Sequence, residues 1–131
     1  MKTIHLNSKD GTAREVDLDF SGPDGYKRIS ETIGCEFFTA IALRKNEDGT
    51  SETAYCDDVG AINGTKNGLM HFLYGPIFGD VLIVGTNQMG ESIDTKVDIN
   101  DLLDIGITHK FDIIVGEIDK PGFELKKLEI K

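Results

Sequence analysis

Residues 75–85 read Gly75-Pro76-Ile77-Phe78-Gly79-Asp80-Val81-Leu82-Ile83-Val84-Gly85, a turn-forming preamble followed by an unbroken apolar run that closes on glycine. A continuous, largely β-branched run marks a strand covered on both faces, which places Val81 to Val84 at the centre of a sheet. Working outward, Lys2 to Asn7 and Arg14 to Phe20 flank Ser8-Lys9-Asp10-Gly11, whose Asp-Gly pair suits a hairpin turn. Ser21-Gly22-Pro23-Asp24 opens a short helix with Tyr26, Ile29 and Ile33 at helical spacing, and Gly34 stands where a left-handed C-terminal residue belongs. From Glu36 to Arg44 the residues alternate with both faces largely apolar, which predicts an interior strand, and Asn46-Glu47-Asp48-Gly49 turns it into a partner over Ser51 to Cys56. Thr65 to Tyr74 reads as a second helix that buries Leu69, Phe72 and Leu73. Asn100 to Ile105 reads as one helical turn, Lys110 to Ile118 as a strand, and Phe123 to Ile130 as a last strand with a bulge near Lys126-Lys127. The order β-β-α-β-β-α-β-(α)-β-β is an α+β fold with a mostly antiparallel sheet and two or three short helices.

The chain has 131 residues, 39% of them apolar, the size and composition of a single globular domain over 1–131 whose core needs no metal or disulfide support. Its 23 acidic residues against 14 basic ones give a net charge of −9, and the densest basic groups are only Lys27-Arg28 and Lys126-Lys127. Phosphate contacts need clustered cations, so direct nucleic-acid binding is excluded, while a basic partner or a small ligand in a local pocket stays open. Met1-Lys2-Thr3-Ile4-His5 has no apolar leader and no stretch is long and apolar enough for a span, so the expectation is a soluble cytoplasmic protein with no membrane contact. Cys35 and Cys56 lack metal or redox spacing and are expected as free thiols.

Most chemistries fail on their residues. Gly85-Thr86-Asn87-Gln88-Met89-Gly90-Glu91-Ser92 has P-loop spacing, but Glu91 stands where the loop needs a lysine, and a carboxylate there repels phosphate. Gly60-Ala61-Ile62-Asn63-Gly64-Thr65-Lys66 is a weaker echo, whose position ahead of a helix start would suit weak anion binding. Nucleophilic hydrolysis lacks a G-x-S-x-G elbow, and His5, His71 and His109 are scattered, with His71 read as structural. Asp94, Asp98, Asp101 and Asp104 recur without the glycine and closing glutamate of a calcium loop. No catalytic residue, metal ligand or cofactor is assigned.

The middle of the chain nevertheless resembles a family of small proteins of unknown function encoded by bacteriophages and other mobile elements. Four pieces carry it: Ile33-Gly34-Cys35-Glu36 after a short helix, Tyr55-Cys56-Asp57-Asp58-Val59-Gly60 as a strand ending in an acidic turn, Asn67-Gly68-Leu69-Met70 opening the next helix, and Pro76-Ile77-Phe78-Gly79-Asp80 ahead of the apolar strand and Gly85. They span about residues 26–87. The resemblance implies a non-enzymatic accessory protein of the host bacterial cytoplasm, acting in counter-defence or host takeover by sequestering a small nucleotide-like ligand or occluding a host protein. Asn67, Tyr74, Gly75, Pro76, Phe78, Gly79, Asp80 and Asn87 are the expected pocket, where backbone donors, two amides and aromatic faces suit a planar polar ligand. Two alternatives come from other classes: an acidic DNA mimic that blocks a nucleic-acid-binding host protein, and a small metal-dependent nucleotide hydrolase using Asp57, Asp58 and Asp80. Self-association as a homo-oligomer is left open.

Overall fold

The computed structural model describes residues 1–20, 22–114, 122–126 and 129–130. Two sheets face each other and one helix covers the outer face of the larger. In chain order the strands are β1 (Lys2–Asn7), β2 (Thr12–Asp17), β3 (Phe38–Lys45), β4 (Ser51–Asp57), β5 (Asn67–His71), β6 (Gly75–Phe78), β7 (Val81–Thr86), β8 (Ser92–Ile93), β9 (Ile107–Ile114), β10 (Gly122–Lys126) and β11 (Glu129–Ile130), with helix α1 at Gly25–Ile33 and a 3₁₀ turn at Leu102–Ile105. The larger sheet runs β11-β2-β1-β7-β4-β3, with β8 beside the end of β7, and the smaller runs β10-β9-β5-β6. Among the described residues every pairing is antiparallel except β11 with β2. The α+β class and the mostly antiparallel pairing agree with the sequence reading; the number and order of helices do not. No described helix is long and apolar enough to cross a membrane.

β7 lies between β1 and β4, and Val81 to Val84 are all fully buried. Its alternation divides the core. Val81 and Ile83 face the second sheet, packing in one cluster with Ile4, Leu6, Ala54, Leu69, Ile77 and Ile107, while Leu82 and Val84 face α1 through Ile29 and Ile33. α1 ends as the sequence requires, with Gly34 left-handed at φ 70° and its N–H on the Ser30 carbonyl. The first hairpin closes through Asn7, whose Oδ1 accepts the N–H groups of Lys9 and Asp10.

After β8 the chain crosses back over the larger sheet. At the crossing a Cβ on Gly85 would sit 2.4 Å from the Asp94 carbonyl oxygen, so only glycine fits. Glu52, fully buried on β4, fastens the crossing segment: its carboxylate accepts Thr95 Oγ1 at 3.0 Å and the Lys96 N–H at 2.7 Å. Such a buried carboxylate is tolerable because hydrogen bonds replace its lost hydration.

Two expectations are corrected here. Residues 65–74 form no helix; they hold β5 and the turn into β6, with Leu69 buried but Phe72 and Leu73 69% and 73% exposed. The i, i+3, i+4 spacing of those three residues is met equally by one inward strand position and an apolar turn. Pairing of β5 with both β9 and β6 decides between them. The anion-binding reading of Gly60 to Lys66 falls with the missing helix, since residues 58–64 are turns. Likewise β3 is an outermost strand, not an interior one. Apolar residues on both faces of a strand report cover above and below it, and say nothing of its neighbours within the sheet. The region 115–118 of the expected strand from Lys110 and the bulge at Lys126-Lys127 involve residues outside those described.

Candidate functional site

Gly79 and Asp80 are the two-residue step that carries the chain from β6 in the smaller sheet to β7 in the larger. The step needs Gly79 at φ 89°, and its N–H is held by the Asn67 carbonyl at 2.8 Å. Asp80 is thereby aimed at the first hairpin. Its Oδ2 meets His5 Nε2 at 2.8 Å, and its Oδ1 accepts the Ser8 N–H at 2.9 Å and the Ser8 hydroxyl at 3.0 Å. Ser8 Oγ also lies 2.7 Å from Asn67 Oδ1, so its single proton is shared between two acceptors. Burial pushes the Asp80 carboxyl up, but the hydrogen bonds from His5 and Ser8 outweigh it and hold the group below its ordinary value. His5 is 95% buried, and its Nδ1 is a buried nitrogen with no partner among the described residues.

This trio is not a nucleophilic relay. The carboxylate stands between the hydroxyl and the imidazole, so His5 does not reach the serine proton, and the base that does is Asp80, a carboxylate held below its ordinary value and therefore too weak to activate the hydroxyl. Asp57, set beside this site, spends Oδ1 on the Val59 N–H, and among the described residues no three His, Cys, Asp or Glu side chains are grouped to hold a metal ion. The carboxylates Asp57, Asp58 and Asp80 of the hydrolase alternative are therefore not gathered into one centre.

Around Asp80 lies a polar cavity of about 300 Å³, walled by the β1–β2 turn (Asn7, Ser8, Lys9), the C-terminal end of α1 (Thr32, Ile33, Gly34), Asp57, Thr65, and Asn67, Gly79 and Asp80. A second cavity, an open groove of about 330 Å³, lies on the other side of Asp57 and takes Tyr74, Pro76 and Phe78. The eight expected pocket residues are thus divided. Asn67, Gly79 and Asp80 share the polar cavity; Tyr74, Pro76 and Phe78 line the groove; Gly75 opens β6 and lines neither. Asn87 stands at the opposite end of β7 from Asp80, about 23 Å away at the strand's rise of roughly 3.3 Å per residue. There its Oδ1 accepts the Met89 and Glu91 N–H groups and closes the β7–β8 turn.

The sequence reading missed Ser8, Lys9 and Thr32. Ser8 was legible only as a turn residue, and its partners Asp80 and Asn67 are 72 and 59 residues distant. The structural reading of His71 agrees with its contacts, although on a strand: Nε2 bonds the Ile105 carbonyl at 2.9 Å, and Nδ1 accepts the Leu73 and Tyr74 N–H groups. Compared with family models, with characterised proteins and with solved structures, the chain matches none.

Cys35 and Cys56 are free, and burial, aided by the charge of Asp57, pushes both thiols up to about 11. Titration under denaturing, non-reducing conditions should count two thiols per chain. In the native protein at neutral pH the same reagent should react about tenfold or more slowly than with the unfolded chain, since the thiolate is scarcer. A denatured count near zero, or a native rate equal to the unfolded one, would contradict this.

Proposed function

We propose that the protein acts by binding a small nucleotide-like molecule without turning it over, and that the polar cavity around Asp80 is the binding site. This is the role that the resemblance to phage and mobile-element accessory proteins implies, in counter-defence or host takeover. The observation that carries the reading is convergence: five separate stretches of chain bring hydroxyls, two side-chain amides and glycine backbone together around one anchored carboxylate. Pockets of this kind fix orientation by a few convergent polar groups.

The lining also supports one end of such a ligand over the other. Asp57, Asp80 and the C-terminal end of α1, where the helix dipole is negative, make the wall rich in acceptors. Lys9 is the only cation among the lining residues. A base or sugar edge carrying N–H and O–H donors suits the interior, and a phosphate suits only the Lys9 side.

Thermal denaturation with adenosine, guanosine, cytidine, uridine and their 5′-triphosphates tests this. At a hundredfold excess over Kd a ligand adds about 2.7 kcal/mol, enough to raise Tm by several degrees. At least one nucleoside should do so with wild type and not with Asn67→Ala. A triphosphate that stabilises far more than its nucleoside, or equal shifts in both proteins, would contradict the assignment.

A further inference from the structure

We propose that the groove between β3 and β6 docks an extended, basic segment of a partner polypeptide, which adds to β3 as a further strand. This surface is separate from the polar cavity and shares only Asp57 with it.

Among the described residues β3 is the outermost strand of the larger sheet and β6 of the smaller, so each presents to the groove an edge that no described strand pairs. Edge strands are templates for pairing unless something blocks them. β6 is blocked, because Pro76 has no N–H to give. β3 has no proline, and its bulge lies between Ala42 and Arg44, beyond the stretch 38–41. Tyr74 shows which way that edge faces: its phenol donates to the Ala42 carbonyl at 2.9 Å, so this carbonyl points out of the sheet. Backbone groups two residues apart on a strand point the same way, and Ala40 therefore also offers its N–H and carbonyl outward. The side chains of Ala40 and Ala42 are exposed and small, and a new strand can approach them closely.

The occupant's chemistry follows from the lining. Ile41, Pro76 and Phe78 give an apolar wall, and Asp57 and Asp58 give two carboxylates; no Lys, Arg or His is among the lining residues. Asp58 is exposed and has no ion-pair partner among the described residues, in a chain of net charge −9. Successive side chains of an added strand point to opposite faces, so alternate Lys or Arg side chains would enter the groove, their methylene stems along the apolar wall and their cations on the carboxylates, while the apolar ones lie beside the exposed Ala40 and Ala42. At the end of the groove the exposed Phe72 and Leu73 stand on a turn that His71 holds through the Leu73 and Tyr74 N–H groups, a ready-made apolar anchor.

The test is fluorescence polarisation with a labelled, end-blocked decapeptide of alternating Lys and Val, against the same design with Glu for Lys. Two variants accompany wild type: Ala40→Pro, which removes an outward N–H that β4 does not use, and Asp58→Lys, which reverses the groove charge. The Lys peptide should bind wild type, weaken tenfold or more in each variant, and weaken with added salt; the Glu peptide should not bind. Circular dichroism and thermal melting of both variants confirm the fold. No binding of the Lys peptide up to millimolar concentration overturns the proposal, as does equal binding by the Glu peptide or unchanged affinity in Ala40→Pro. Sedimentation that shows wild type already dimeric through this edge, and Ala40→Pro monomeric, would replace the partner with a second copy of the chain.

Discussion

Gly68→Ala should leave the chain without a stable fold. A Cβ at this position would lie 2.0 Å from the Ile77 carbonyl oxygen and within 2.8 Å of two atoms of the Phe111 ring. The first is backbone of the paired strand β6, and the second is a fully buried side chain already set edge-on against Phe78. Neither can swing aside as a surface side chain could. Relief requires β6 to separate from β5, so the cost exceeds the roughly 3 kcal/mol typical of core overpacking and consumes much of the about 5–15 kcal/mol that holds a domain together. Gly75→Ala is the control: nothing lies within 4 Å of its Cβ position, and only its left-handed φ of 75° resists, at about 1–2 kcal/mol. Urea denaturation of the two variants measures the difference. Equal midpoints would show that the close approach at Gly68 does not exist in solution.

Asp80→Ala is expected to cost about 2–4 kcal/mol, because it removes one acceptor and strands several donors. His5 would lose the partner of Nε2 while Nδ1 already has none, and the Ser8 N–H would lose its acceptor. The effect carries a pH signature. The folded carboxyl titrates below its ordinary value, so its stabilisation is complete above the unfolded carboxylate range and drains away as pH falls through the lower, folded value. Urea midpoints of wild type should therefore fall below roughly pH 4, and those of Asp80→Asn should fall less over the same interval. Parallel curves would mean that Asp80 is not held by His5 and Ser8.

What the sequence disclosed, and what it hid, follows the range of the interactions involved. Val81 to Val84 announced a covered strand because every side chain in the run is apolar, and Asp10-Gly11 and Gly34 announced a turn and a helix end because backbone geometry at those points is decided within a few residues. Residues 65–74 misled because Leu69, Phe72 and Leu73 satisfy a helical period, whereas the strand is imposed by β9, some forty positions later in the chain. The site was half legible. Gly79 and Asp80 were picked out as a turn feeding a buried strand, and Asn67 proved to be its hydrogen-bonded neighbour. His5, 75 residues from Asp80, left no local trace. Asn87 was grouped with Asp80 because both border the apolar run, but they border opposite ends of it.

Binding without turnover can be read from one capture experiment. Purified wild type and Asn67→Ala are incubated with an extract of phage-challenged bacteria, recovered, washed and heat-denatured, and the released small molecules are read by mass spectrometry. Wild type should release a nucleotide-like compound intact, in near-stoichiometric amount, and Asn67→Ala should release far less. Release of a chemically converted product would contradict it in favour of an enzyme, and an empty wild-type protein, or equal release from both, would contradict the assignment of the cavity around Asp80.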